Sequence, residues 1–489
     1  MKSKLILLAL SIFTFTLSAQ TEIEKVTSTT SKSEIEGHIY FLASDELKGR
    51  QTGTAENKIA ALYLANMLRS YGVKPIPGKD SYYQNVILEN TSAASSTEFK
   101  LDDISITEIF TLKKGNTDYK GKAIFLNYGL EDDYKNADVK GKYIICYIGA
   151  PGNTSLQSHF MKTKEKMELA KKNGALGVIE ICNVDEQSAN QLKHYFNDPT
   201  VALAKNGTDT EDLVYLWIND KKELVSQNIK NKEEKDISLK IQGIEKSKMI
   251  SQNVIGVLEG TDPKLKEEYI IYSAHYDHVG IGKAVNNDSI YNGARDNAVG
   301  TVTVLSAAKN IAKYPTKRSS LFILFTGEEK GLLGSKWYVE HPVLPLDKMI
   351  YCFNSDNGGY NDITKATIIG LNRTSAQQDI VKAVKDFGLE AIDDPAAEQG
   401  LFDRSDNVNF AAKGIPAPTF SMGFTAFDEE ITKYYHQVTD NPDSVDYDYL
   451  LKFFRSYVLA CRYISNNPKT PFWVEGDKYY EAGKQLYQK

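Results

Sequence analysis

The sequence predicts an α/β protein, with a mainly parallel central sheet flanked by helices and a smaller β-rich or α+β domain inserted into it. Two observations carry that expectation. From residue 251 onward, short apolar runs alternate with longer stretches of helical periodicity, the pattern left by βαβ units. Residues 99–247 break the pattern with strand-like runs of their own, KAIFLNYG and KYIICYIG, followed by a helix feeding a strand in MELAKKNGALGVIEI. That block closes on NKEEKDISLKIQGIEKSK, a lysine- and glutamate-rich tract suited to a solvated edge or linker. The expected division is a main domain from residues 20–98 and 248–489, with 99–247 inserted.

The opening MKSKLILLALSIFTFTLSAQ sets Lys2 and Lys4 before an apolar stretch from Leu5 to Leu17 and then Ser18-Ala19, which reads as an export signal over residues 1–19. That stretch is short for a bilayer, which needs about 20 apolar residues. No later segment is long and apolar enough, so no stable membrane span is expected. Residues 34–71 read as helical, stopping at Gly72. Strands are expected at 253–258, 269–275, 320–326, 348–354, 365–370 and 416–421. Between them, 298–313 sets Val302, Leu305, Ala308 and Ile311 or Ala312 at helical spacing, and 375–387 does the same with Ile380, Val384 and Phe387. A last helix over 447–464 is apolar on most faces and should be buried.

Composition narrows the classes of function. Lys+Arg 58 against Asp+Glu 64 gives −6, and loss of the signal's two lysines gives 56 − 64 = −8. An acidic balance argues against nucleic acid or an anionic membrane as partner. The cysteines, Cys146, Cys182, Cys352 and Cys461, are scattered in apolar runs and read as buried thiols, although an exported compartment permits a Cys146–Cys182 disulfide.

In a sheet of this kind the loops leaving the carboxyl ends of the strands converge on one crevice. Strand 269–275 delivers His275 and Asp277, strand 320–326 delivers Glu328 and Glu329, and strand 348–354 delivers Asp356. Asp296 stands just before the helix at 298, and His436 follows the last strand. Imidazole nitrogen and carboxylate oxygen are zinc donors, and two metals about 3.5–4 Å apart need a carboxylate between them.

These residues stand as His275-Tyr276-Asp277, Asp296-Asn297-Ala298-Val299-Gly300, Glu328-Glu329, Asn354-Ser355-Asp356 and Tyr435-His436. In that order they resemble the H-x-D, D-[ND]-x-x-G, E-E, N-x-D and Y-H set of the M28 family of zinc peptidases. The segment YFLASDELKGRQTGTAENKIAALYLANML is similar to the N-terminal part of members that carry a protease-associated insertion, and 99–247 sits where that insertion falls. The resemblance implies a zinc exopeptidase fold and two Zn²⁺. It assigns Asp296 as the bridge, His275 and Asp356 to one metal, and Glu329 and His436 to the other. It also implies that a hydroxide shared by the metals attacks the peptide carbonyl while Glu328 acts as general base. Asp277 is expected to orient His275, and His278 to be a locally hydrogen-bonded loop histidine. FDRSDNVNFAAKGIPAPTF resembles the family's S-D-H-x-x-F…G-I-P stretch near the substrate pocket, with Asn407 where a histidine is common.

The expected function is that of an exported dizinc aminopeptidase acting on peptides with a free N-terminus. A carboxypeptidase or dipeptidase of the same family, a single-zinc cyclising transferase, and a receptor-like protein without catalysis are the alternatives. A serine hydrolase lacks its G-x-S-x-G elbow here, and no H-E-x-x-H occurs.

Overall fold

The computed structural model describes residues 20–113, 115–152, 155–204 and 213–488. The expected signal peptide, 1–19, lies outside them. The chain divides into two compact units, one made of the residues up to Val86 together with those from Ser251 onward, the other of Ile87–Ile250. The second unit begins ahead of residue 99 because strand Tyr83–Thr91 already runs into it.

In the first unit the six expected strands form as β1 (Lys246–Leu258), β2 (Tyr269–His275), β3 (Ser319–Phe325), β4 (Met349–Ser355), β5 (Lys365–Ile369) and β7 (Thr419–Met422), and a short strand that was not expected, β6 (Glu390–Ile392), joins them. Their order is β6-β5-β7-β4-β2-β3-β1. β2 pairs parallel with both β3 and β4, and β4 with β7, whereas β5 runs antiparallel to β7 and β1 antiparallel to β3. The mixed edges surround a parallel centre. Ile270, Tyr272 and Ala274 of β2 enter one core and Ile271 the other, so both sheet faces are covered and the strands read as continuous apolar runs.

Helices α1 (Lys32–Leu42), α2 (Ala55–Ser70), α3 (Gly300–Lys313), α4 (Gln377–Asp386) and α5 (Tyr447–Asn466) supply the covering layers. The α3 stripe Val302, Leu305, Ala308 and Ile311 is buried, as is most of α5, which packs on α3 and α4. Residues 34–71, read as continuously helical, are instead two helices separated by a tight turn at Asp45–Arg50 in which Lys48, Gly49 and Arg50 take positive φ. Among the described residues no helix is long and apolar enough to cross a membrane.

The second unit carries its own sheet, in which Thr117–Phe125, Tyr143–Tyr147, Gly177–Cys182 and Val214–Asn219 run parallel and further strands pair antiparallel at both sides. Its quoted apolar runs fall on strands, with helix Thr163–Lys172 leading to Gly177–Cys182 as the sequence implies. All four cysteines are buried and free, so the permitted disulfide is not formed.

The core of this unit holds an ion pair. Lys166 and Glu180 touch with both side chains buried, Trp217 Nε1 also donates to Glu180, and Lys166 Nζ donates to the Tyr147 carbonyl at 2.8 Å. Removing one partner leaves a buried charge uncompensated, which costs about 3–5 kcal/mol. Lys166→Met is therefore expected to lower the stability of this unit by that amount in urea unfolding. A loss below about 1 kcal/mol would show that Glu180 takes up a proton and tolerates the change.

Candidate metal centre

β2 lies between β3 and β4, so the residues leaving all three carboxyl ends are neighbours. His275 ends β2, Glu328 and Glu329 follow β3, and Asp356 follows β4. The hydroxyl of Thr301 on α3 donates to the His275 carbonyl at 2.8 Å and fixes the strand end.

All five expected ligands converge. His275 Nε2 lies 3.2 Å from Asp356 Oδ1 and 3.3 Å from Asp296 Oδ1. His436 Nε2 lies 3.1 Å from Asp296 Oδ2 and 3.2 Å from Glu329 Oε2. Asp296 thus faces a different histidine with each of its oxygens, and the donors form two adjoining sets. Glu328 joins the set of His275 and Asp356, its Oε2 being 3.9 Å from His275 Nε2.

The main chain holding these groups is itself held. Asn297 caps α3, its Oδ1 accepting from Gly300 N at 3.0 Å while its Nδ2 donates to the Ser355 carbonyl at 2.9 Å. A Cβ at Gly300 would lie 2.2 Å from Asn297 Oδ1 and 2.4 Å from the Ser355 carbonyl, so only glycine fits at the end of D-N-A-V-G. Asn354 accepts from the Ser273 hydroxyl at 2.8 Å and donates to Ser405 Oγ at 2.8 Å, tying β2 to the 405 loop. Asn407 donates to the carbonyls of Phe402 and Ala417 at 3.1 Å each, a structural tie at the position where a histidine is common.

Asp277 supports the site by a different route from the one expected. His275 Nδ1 lies 3.2 Å from the main-chain carbonyl of Asp277 and 3.9 Å from its Oδ1. The carboxylate accepts instead from the Thr52 hydroxyl at 2.6 Å and from the Glu328 main-chain N–H at 3.2 Å, which fixes the turn carrying both glutamates. His278 is not the locally hydrogen-bonded loop histidine expected, since neither ring nitrogen has a regular hydrogen-bond partner. It is fully buried, and its Nδ1 is 2.9 Å from Glu329 Oε1.

Two further residues escaped the sequence reading. Arg50, fully buried, donates to the carbonyls of Leu42, Tyr276, Asn292, Gly293 and, at 3.4 Å, Asp296, so that one guanidinium gathers both ligand-bearing loops. Its only signal was its place in LKGRQTG. Asp440 accepts from Arg295 N at 2.9 Å and Asp296 N at 3.2 Å, and burial pushes its carboxyl up to about 6.

The electrostatics call for cations. Burial disfavours charge on His275, yet Asp356, Glu328 and Asp296 outweigh it and hold the imidazole well above its usual range. His436 is likewise lifted to about 10 by Asp296 and Glu329 against its burial. A cluster this acidic draws protons onto its histidines, and divalent ions that take imidazole and carboxylate donors displace those protons on binding. The adjacent glutamates part company. Burial, reinforced by Asp356 and Glu329, drives Glu328 well above the carboxylate range, whereas contacts with His278 and His436 overcome burial and bring Glu329 down to about 2. Neighbours in the chain, the two carboxyls are thus pushed in opposite directions by their surroundings.

Beside the donors the cleft has an apolar wall of Ile369, Leu401, Phe424, Phe427 and Ile431, and Tyr435 stacks on His436 at 4.1 Å between ring centroids.

Residues 253–460, which span every donor named here, match the model of peptidase family M28. They are a peptidase family M28 domain. The chain is 27% identical over 420 residues to aminopeptidase YwaD of Bacillus subtilis, covering 82% of this chain and 78% of that one. Among solved structures, the aminopeptidase from Aneurinibacillus sp. strain AM-1 superposes with a TM-score of 0.60 at 22% identity, over 92% of this chain and 97% of that one. The zinc aminopeptidase BSAP from Bacillus subtilis gives 0.51 at 19% identity, over 90% and 97%. The M28 domain thus has the zinc exopeptidase fold.

Proposed function

We propose that this protein is an exported dizinc metallo-aminopeptidase that removes residues from peptides with a free N-terminus. The observation that carries the reading is the placement of Asp296 with one oxygen toward His275 and the other toward His436, the arrangement a carboxylate shared by two ions requires. His275, Asp356 and Asp296 would hold one zinc, and His436, Glu329 and Asp296 the other. Zinc there lowers the pKa of water and polarises a carbonyl.

The chain's own residues do the rest. Glu328 lines the cleft, stands clear of the His278–Asp296–Glu329–His436 set, and has a carboxyl that burial pushes well above the carboxylate range, so it accepts a proton from the attacking water and returns it to the leaving amine. Asp277 keeps Glu328 in place through its main-chain N–H. The similarity to named aminopeptidases and the opening sequence support the terminus and the export, and the insertion point of Ile87–Ile250 supports reading that unit as protease-associated.

The apolar wall favours an apolar N-terminal side chain. A panel of amino-acid coumarin amides is expected to show leucine and phenylalanine derivatives ahead of glutamate and lysine by at least tenfold in kcat/KM, since one methylene in such a pocket is worth about 1–3 kcal/mol. N-acetylated leucine amide should not be cut. Equal cleavage of acetylated and free substrates would defeat the aminopeptidase reading.

A further inference from the structure

His278 is fully buried immediately after the Asp277 that closes the H-x-D motif, and neither of its ring nitrogens has a regular hydrogen-bond partner. Burying an imidazole in that condition is costly unless a neighbour compensates. The neighbour is Glu329, whose Oε1 lies 2.9 Å from His278 Nδ1 and likewise has no other partner. The other oxygen, Oε2, faces His436. Glu329 is therefore gripped between two imidazoles, one on each oxygen.

The ring is itself fixed. Gly293, at φ +63, brings its main chain so close that a Cβ there would lie 2.5 Å from His278 Cγ and Cδ2, and the His436 ring packs edge-to-face with it at 5.6 Å between centroids. Gly293 is in turn held by Arg50 through its carbonyl at 2.7 Å. A chain of packed groups thus runs from Arg50 through Gly293 and His278 to one oxygen of Glu329.

We infer that His278 is a positioning residue, which presents Nδ1–H to Glu329 Oε1 and so fixes the Glu329 carboxylate in the orientation that serves the site formed with Asp296 and His436. A donor atom of His278 lies within 4.8 Å of those of Asp296, Glu329 and His436, and in this reading it serves the Glu329 carboxylate rather than the ion. The inference rests on the two-zinc reading above, because what His278 orients has a purpose only if Glu329 binds an ion. Partners that orient a ligating group in this way change metal affinity by about 10–100-fold.

The test is zinc titration of the full chain by calorimetry with chelator competition, with circular dichroism as the check of fold. Three variants separate the nitrogen from the ring. His278→Phe keeps the ring against Gly293 and deletes the donor, His278→Ala deletes both, and His278→Asn keeps an N–H at the Nδ1 position. Phe and Ala are expected to weaken one of the two zinc sites by 10–100-fold and leave the other unchanged, while Asn stays within about threefold of the unaltered protein. Wild-type affinity at both sites in His278→Phe would overturn the inference and assign the ring to packing alone. Asn as weak as Phe would overturn it too, by showing that no Nδ1–H donor is needed. Failure of the unaltered chain to bind two zincs would instead remove the two-zinc reading, and this inference with it.

Discussion

Glu328→Gln is expected to bind two zinc ions as the unaltered protein does and to lose about 10²–10⁴-fold in kcat, the contribution of one positioned proton carrier. The substitution keeps the shape and the main-chain N–H that Asp277 accepts, so the turn carrying Glu329 stays where it is. What it removes is an oxygen that can take a proton. The expectation differs for the two neighbours because their surroundings differ. Glu328 is raised by burial with Asp356 and Glu329 beside it, whereas Glu329 is brought down by His278 and His436. Glu329→Gln should therefore show as lost zinc, and Glu328→Gln as lost turnover with zinc retained. Metal content by mass spectrometry and kcat on leucine coumarin amide decide it. Turnover within threefold of normal in Glu328→Gln would take the proton-carrying role away from this residue.

The parts of the centre that were legible in the sequence are those attached to the ends of apolar runs. His275, Glu328, Glu329 and Asp356 each stand where a buried strand stops, and a parallel sheet brings such ends together whatever the loops do. Asp296 was legible because a helix begins just after it, although the regular helix opens at Gly300 once the Asn297 side chain has supplied the cap.

Other features depend on contacts that no periodicity records. The break between α1 and α2 exists because Arg50 must turn inward to meet carbonyls more than two hundred residues away, and helical spacing on either side gives no sign of it. His278 looked like a loop histidine because its partner, Glu329, is separated from it by a whole βαβ unit. Asp440 carries no motif, and its carboxylate acts through the main-chain N–H groups of Arg295 and Asp296. In each case the deciding interaction is tertiary, and local propensity is silent about it.

Asp296→Ala is expected to abolish tight binding of both zinc ions, and with it activity, whereas Asp356→Ala should cripple only the site that includes His275. The difference follows from geometry. Asp356 faces His275 alone, while Asp296 offers one oxygen to the His275 set and the other to the His436 set. Its loss leaves each set short of a donor and also removes the charge shared between two dications, which then repel each other without a screen. The loop itself should survive, since Asp440 holds the Asp296 N–H and Arg50 its carbonyl, both through main-chain atoms that alanine keeps. The variant should thus fold, and its thermal midpoint should no longer rise when zinc is added. Zinc at a hundred times its dissociation constant stabilises the unaltered protein by about 2.7 kcal/mol per site through mass action. A zinc-dependent rise in Asp296→Ala equal to that of the unaltered chain would mean that the two histidines bind without a common carboxylate, and the two-ion centre would have to be redrawn.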